Sequence, residues 1–272
     1  MQKPNTNTDN HVANTSPRVL MIIPTLGERI DLLKLSLESI ISQQPRPDIV
    51  LVCPLKNTAI VNMAKKLKIV MLEDPGSLTA AINTGIAYAK DKYDFIGWMG
   101  DDDLLSPNSL QTSVAALDNH PRATVAFGYC DYIDDDGHKI FTSMAGDLAP
   151  WIMTWGPDLV PLPGSLIRRS SLDKAGEYDV SLKYAMDLDM FLRLRKLGPF
   201  VNTKTVLASF RWHPTSTTVA NRTGSLEEAA AVKRKYLPKY LRPFAPIWEV
   251  PVGIATRLAA HRVTSLARKK QQ

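Results

Sequence analysis

From residue 18 onward, apolar and polar positions fall into blocks with two different periods. RVLMIIP at 18–24 is a continuous apolar run closed by proline, the pattern of a strand buried on both faces. Residues 29–42 then bring Ile30, Leu33, Leu37, Ile40 and Ile41 to one side of a helix. Pro45 and Pro47 break the chain, and DIVLVC at 48–53 reads as a second buried strand. A short helix over 57–66 and a strand KIVML at 68–72 follow. Ser77 then caps a helix with Leu78, Ala81, Ile82, Gly85, Ile86 and Ala89 on one face. DFIGWM at 94–99 is a fourth strand that runs into Asp101, Asp102 and Asp103. Ser106-Pro107 predicts a helix start with proline in its first position.

This alternation of strand and helix predicts an α/β domain with a largely parallel sheet. In such sheets, ligands bind beyond the carboxyl ends of the strands. Three segments fall there: Pro24-Thr25-Leu26-Gly27, the turn 73–77, and the aspartate run. The second half is less regular. It predicts a long strand over 123–133, a hairpin return at 134–141, loop with short helical pieces over 147–164, a helix at 186–197 and a strand at 206–212, packed on the first half as one compound domain. Beyond it lie a helix SLEEAAAVKRKYL, a proline-broken stretch, and a last segment in which Ile254, Leu258, His261, Val263 and Leu266 form an imperfect apolar stripe among basic residues.

Composition narrows the class. With 272 residues, 44% of them hydrophobic, the chain excludes a collagen, a disulfide framework and a wholly disordered protein. Two cysteines, Cys53 and Cys130, point to a reducing compartment. The net charge is +6, yet residues 233–272 carry ten Lys/Arg against the single acid Glu249, so the body is mildly acidic and the charge sits in the tail. A nucleic-acid binder is not expected to divide its charge this way. Residues 1–17 are polar without an apolar segment and are expected to be a disordered leader, not a signal peptide. No apolar stretch is long enough to span a bilayer of ~30 Å. The expectation is a cytoplasmic protein, with the tail offering peripheral contact to the inner face of the cell membrane.

The aspartate run carries the first candidate chemistry. Gly100 permits close approach to a ligand, and no Lys or Arg lies within six residues of Asp101–Asp103. Clustered carboxylates of this kind suit a hard divalent cation, Mn²⁺ or Mg²⁺. The similar run Asp134–Asp136 is explained by turn chemistry in DDDGHK. On the helix 186–197, Asp187 shares a face with Met190, Phe191 and Leu194, which leaves two readings: an inward-facing helix-terminal acid or a general base. Asp189 points elsewhere and is expected to form an exposed i,i+4 pair with Arg193, worth ~0.3–0.5 kcal/mol. His213 ends the last strand and is either structural or a metal ligand.

Five ordered segments together resemble a family-2 glycosyltransferase: IIPTLGERIDLLKLSLESI at 22–40, PGSLTAAINTGIAYA at 75–89, FIGWMGDDDLLSPNSL at 95–110, VPLPGSLIRRSSLDKAGEYDVSLKYAMDLDMFLRL at 160–194 and FRWHPTSTT at 210–218. The resemblance implies a GT-A fold: a Rossmann-like, mostly parallel central sheet flanked by helices, with a C-terminal acceptor-side region and a basic helical tail. It divides the chain into a leader 1–17, a domain 18–222 (nucleotide-sugar half 18–120, acceptor half 121–222) and a tail 223–272. It implies an inverting hexosyl- or deoxyhexosyltransferase that uses a nucleotide-diphosphate sugar donor and a saccharide or lipid-linked saccharide acceptor of the cell envelope.

Carried over by residue, Pro24, Thr25, Leu26 and Asp101 line the donor site. Asp102, Asp103 and His213 are the metal candidates, with the division of ribose and metal among Asp101–Asp103 left open, and Asp187 matches the general base. Cys53-Pro54, Ile82 and Gly100 depart from the family pattern, which leaves the nucleobase open and makes Asp74 or Glu73 the candidate for the missing acidic contact. Two other readings stay open. One is a catalytically degenerate sugar- or nucleotide-binding module, which the departures favour and the intact aspartates oppose. The other is a nucleotidyltransferase, which needs a Gly-rich basic loop where PTLGER has one glycine and one arginine.

Overall fold

The computed structural model describes residues 17–212 and 222–270. In chain order the elements begin β1 (Val19–Pro24), α1 (Ile30–Ile41), β2 (Asp48–Cys53), α2 (Thr58–Leu67), β3 (Val70–Glu73), α3 (Leu78–Ala89), β4 (Phe95–Trp98), β5 (Leu104–Leu105) and α4 (Ser109–Asn119). They continue with β6 (Val125–Ile133), β7 (Lys139–Ser143), α5 (Ala149–Ile152), β8 (Leu166–Arg168), α6 (Arg169–Ala175), α7 (Met186–Leu197) and β9 (Phe200–Arg211). A helix α8 (Arg222–Tyr236), a 3₁₀ turn (Lys239–Phe244) and a long helix α9 (Pro246–Lys270) close the described chain.

One sheet runs through the domain in the order β3-β2-β1-β4-β8-β6-β9-β5, with β7 hairpinned onto β6. Strands β3, β2, β1 and β4 are parallel. Antiparallel β8 bridges β4 to β6, and β9 lies parallel to β6. The unbroken apolar runs of β1 and β2 follow from burial on both faces. Leu20, Ile22, Val50 and Val52 enter a core under α3 and α7, whereas Val19, Met21, Ile23 and Leu51 enter a second core under α1, α2 and α4. Gly85 lets α3 settle onto β1: a Cβ there would meet Ile22 Cγ2 at 2.4 Å.

The predicted elements of the first half are present within a residue or two, with one correction. Pro107 does not open α4. The chain is first tied to β9, by the pairing of Leu104 with Ser209 and by Ser106 N–H donating to Leu207 O. Only after Asn108, at φ +61°, does the helix begin at Ser109. In the second half, β9 extends six residues upstream of the expected strand, because Phe200–Asn202 pair with Val125–Phe127 and the chain rejoins the register at Val206 after an irregularity over 203–205. The charged helix α8 packs on α7, which buries the surface expected to carry Asp189.

Candidate functional site

A cleft of about 1140 Å³ opens at the carboxyl ends of β1, β3 and β4 and continues to the start of α7. The turn after β1 forms its floor. Thr25 is buried, its hydroxyl donates to Asp101 Oδ2 at 2.5 Å, and it accepts the N–H of Gly27. Gly27 holds φ +72°, and a Cβ there would overlap Ile60, so the turn requires glycine. Arg29 reaches over this turn to Asp102 at 2.8 Å and Asp101 at 3.7 Å. The aspartates lack a cation nearby in sequence but gain one in space.

The three aspartates have different surroundings. Burial, opposed by the Thr25 hydroxyl, raises the Asp101 carboxyl above its usual range. Asp102 turns toward Arg29. Asp103 is 3% exposed and accepts the backbone N–H of Arg211 at 3.0 Å. Burial, then the charge of Asp102, pushes Asp103 up to about 8. Arg211 is itself buried, donating from Nε to Asp102 O and from Nη1 to the carbonyls of Asp134 and Asp135. It locks the aspartate loop to the β6–β7 hairpin. In that hairpin Asp134 Oδ1 accepts the N–H groups of Asp136 and His138, the turn role expected of it. The ligand atoms of Asp134, Asp136 and His138 also lie within 4.8 Å of one another, but none of the three lines the cleft.

Pro24, Leu26 and Asp74 line the cleft as expected. Asp74 caps the turn through Gly76 N–H. Glu73 turns to Leu55 N–H. Cys53 and Ile82 are fully buried, so neither position presents a polar group to a ligand. His213 lies outside the described residues.

Asp187 stands on the far part of the cleft, in the first turn of α7. It accepts the N–H of Leu188 at 2.8 Å. Burial raises its carboxyl to about 6 against the pull of those backbone N–H groups, and the charge of Glu228 on α8 adds to the rise. Asp158, on the loop before β8, faces the same space. Burial and the charge of Asp187 push it up, while Lys233 opposes them. Lys233 Nζ donates to Gly156 O at 2.5 Å. Asp189 corrects the expectation of an exposed pair. It is 1% exposed, held by Arg193 at 2.9 Å, by the Tyr236 hydroxyl at 2.7 Å and by Lys235 at 3.4 Å.

Sequence reasoning therefore finds Thr25, Asp74, Asp101, Asp102 and Asp187 in one cleft, and misses Arg29, Asp158, Arg211, Glu228 and Lys233. One signal was available: the N-cap position of α7 is Ala185, which has no capping side chain, so a partner from elsewhere in the chain was needed.

The geometry can be set beside known proteins. The sequence model of Glycosyl transferase family 2 matches residues 21–175. An uncharacterised glycosyltransferase of Rickettsia prowazekii is 28% identical over 157 residues, covering 54% of this chain and 48% of its own. One from Rickettsia typhi is 28% identical over 176 residues, covering 61% and 54%. The chain thus spans about half the length of the curated relatives it matches. Among solved structures, S. aureus TarS 1–349 in complex with UDP-GlcNAc superposes with a TM-score of 0.61 at 15% identity, covering 80% of this chain and 65% of that one. The mannosyltransferase PcManGT of Pyrobaculum calidifontis, in complex with GDP-Man and Mn²⁺, does so with a TM-score of 0.60 at 16% identity, covering 95% and 80%. At these identities the likeness is one of fold.

Proposed function

The chain belongs to glycosyl transferase family 2, and we propose on that premise that it is an inverting transferase that moves a sugar from a nucleotide-diphosphate donor to an acceptor hydroxyl. The observation that carries this reading is that one cleft holds both the Arg29-paired carboxylates of Asp101 and Asp102 and the raised carboxyl of Asp187. Thr25 and Asp101 hold the nucleoside, and Asp74 supplies the acid near the base that the buried Cys53 cannot. Asp187 takes the proton of the acceptor hydroxyl as that oxygen attacks the anomeric carbon. The bond from that carbon to the diphosphate oxygen breaks, and the nucleoside diphosphate leaves from the opposite face.

The oxygen donors of Asp101 and Asp102 fit a hard divalent cation, Mn²⁺ or Mg²⁺, and Arg29 marks the place where positive charge is favoured. Such an ion, when bound, neutralises charge developing on the departing diphosphate. Asp103, already engaged by Arg211, braces the loop from behind. A thermal-shift screen of UDP-, GDP-, dTDP- and CDP-sugars with and without Mn²⁺ tests the donor site. A metal-dependent rise with one nucleotide is expected. No rise with any of them shifts the reading to a degenerate binding module.

The acceptor reading rests on α9. No described helix is long and apolar enough to cross a membrane. Yet Ile247, Val250, Ile254 and Leu258 are 53–72% exposed along α9, among Arg257 and Arg262, and Val250, Ile254 and Arg257 also line the cleft beside Glu249, Val252 and Thr256. This supports attachment to an anionic lipid surface at the cytoplasmic face of the membrane, with a lipid-linked saccharide of the cell envelope as acceptor. Co-sedimentation with anionic but not zwitterionic vesicles is the expected result, weakening with salt.

A further inference from the structure

The helix that carries Asp187 has no cap of its own. Ala185 stands at its N-cap position, and no side chain there accepts a hydrogen bond from the first turn. Three consecutive backbone N–H groups just ahead of the helix are instead satisfied from more than forty residues away. Glu228 accepts from Lys183 at 3.0 Å, from Tyr184 at 2.5 Å and from Ala185 at 2.7 Å. Successive N–H groups turned to one side form a natural seat for an anion, and here the seat is filled by a carboxylate of the same chain. The helix that supplies it, α8, lies beyond the 21–175 segment that the family pattern matches. The same helix sends Lys233 to Gly156 O, beside Asp158.

We propose that Glu228 is a positioning residue for Asp187: by seating the 183–185 backbone, it fixes the first turn of α7 and with it the carboxylate that faces the cleft. The proposal rests on the reading of Asp187 as the base.

Two consequences separate it from a merely structural cap. A negative charge at this seat opposes ionisation of Asp187, in the direction already noted. The other groups that face Asp187 are Asp158 from the loop before β8 and Tyr178 from the loop after α6; Lys233 of α8 faces Asp158, and Glu249 and Arg257 of α9 line the same cleft. Of these, Glu228 and Lys233 sit on one helix with opposite charges. Removing either loosens α8, but only the loss of Glu228 removes a negative charge.

The test follows the carboxyl resonance of Asp187 by NMR in the full chain labelled with ¹³C-carboxyl aspartate, assigned by its absence from Asp187→Asn. The titration needs neither donor nor acceptor, so it stands whether or not the transferase reading does; that reading fails separately if Asp187→Asn retains full transfer. In Glu228→Gln the midpoint is expected to fall from about 6 by roughly half a unit or more, while in Lys233→Met it does not fall. An unchanged midpoint in Glu228→Gln, or an equal fall in both variants, overturns the proposal. If Glu228→Gln does not fold, Glu228→Asp is used. Hydrogen exchange at Lys183, Tyr184 and Ala185 is then expected to quicken severalfold as the carboxylate is drawn back, and unchanged exchange overturns the proposal.

Discussion

The two sides of the cleft are built by different means. On the side proposed to take the donor, from β1 to α4, the candidate residues sit at the ends of parallel strands and are held within their own turns or from the adjoining strand end: Thr25 by Gly27 and by Asp101 after β4, Asp74 by Gly76. On the side proposed to take the acceptor, the turn before Asp187 is held from α8 and Asp158 stands near a lysine of the same helix, and from this half Arg211 of β9 also reaches back to brace the aspartate loop. A parallel αβ repeat brings its loops together at one edge as a consequence of topology. The irregular half has no such geometry and must be pinned by long-range polar contacts.

The strongest way to break this contrast is to remove the acid on which the acceptor side converges. Asp187→Asn is expected to lose ~10²–10⁴ of transfer rate, measured as nucleoside diphosphate released. Its stability should not fall. A carboxyl whose folded pKa is raised above 3.8 to about 6 costs stability as pH rises through that window, and the cost is fully present above it. The amide removes it. Urea melts at pH 8 should therefore show Asp187→Asn equal to or more stable than the parent, by up to about 2 kcal/mol. The same protonation predicts that transfer rises from pH 5 to pH 7 with a midpoint near 6 and flattens above it.

Next in size is Asp189→Ala. If Asp189 were a surface pair, its loss would cost a few tenths of a kcal/mol. Buried and held by Arg193, Tyr236 and Lys235, its removal strands a buried guanidinium and should cost about 3–5 kcal/mol, read from the same melts. A loss below 1 kcal/mol would mean that α8 is not docked as described. The smallest effect belongs to the self-sufficient side. Thr25→Val removes one hydroxyl bond to Asp101 and should weaken donor binding by about 1 kcal/mol, measured by calorimetry, with the melting point nearly unchanged.

The same contrast explains how much could be read from the sequence. Runs such as VLMIIP and DIVLVC declare themselves because burial on both faces leaves no polar position, and the functional turns follow them directly. The helix over 186–197 was legible for another reason, the apolar stripe of Met190, Phe191 and Leu194 at helical spacing. Short β8 and α6, joined without a loop between them, leave no period to detect. The burial of Asp189 was hidden, because a helix as polar as α8 gives no sign on its own of which face it presents or to what. Pro107 obeyed a local rule that the pairing of Leu104–Leu105 with β9 overrode.

The continuity of the sheet has a mechanical consequence. Because β8 splices β4 to β6 and eight residues of β6 pair with β9, the walls that carry Asp101 and Asp187 belong to one sheet, a continuous plate, and rotating them apart would break the pairing of β8 with its neighbours. The aperture therefore belongs to the layer laid over that plate. In this molecule, α8 and α9 contribute residues to the rim of the chamber, and the plate beneath keeps the distance between its fixed chemical groups.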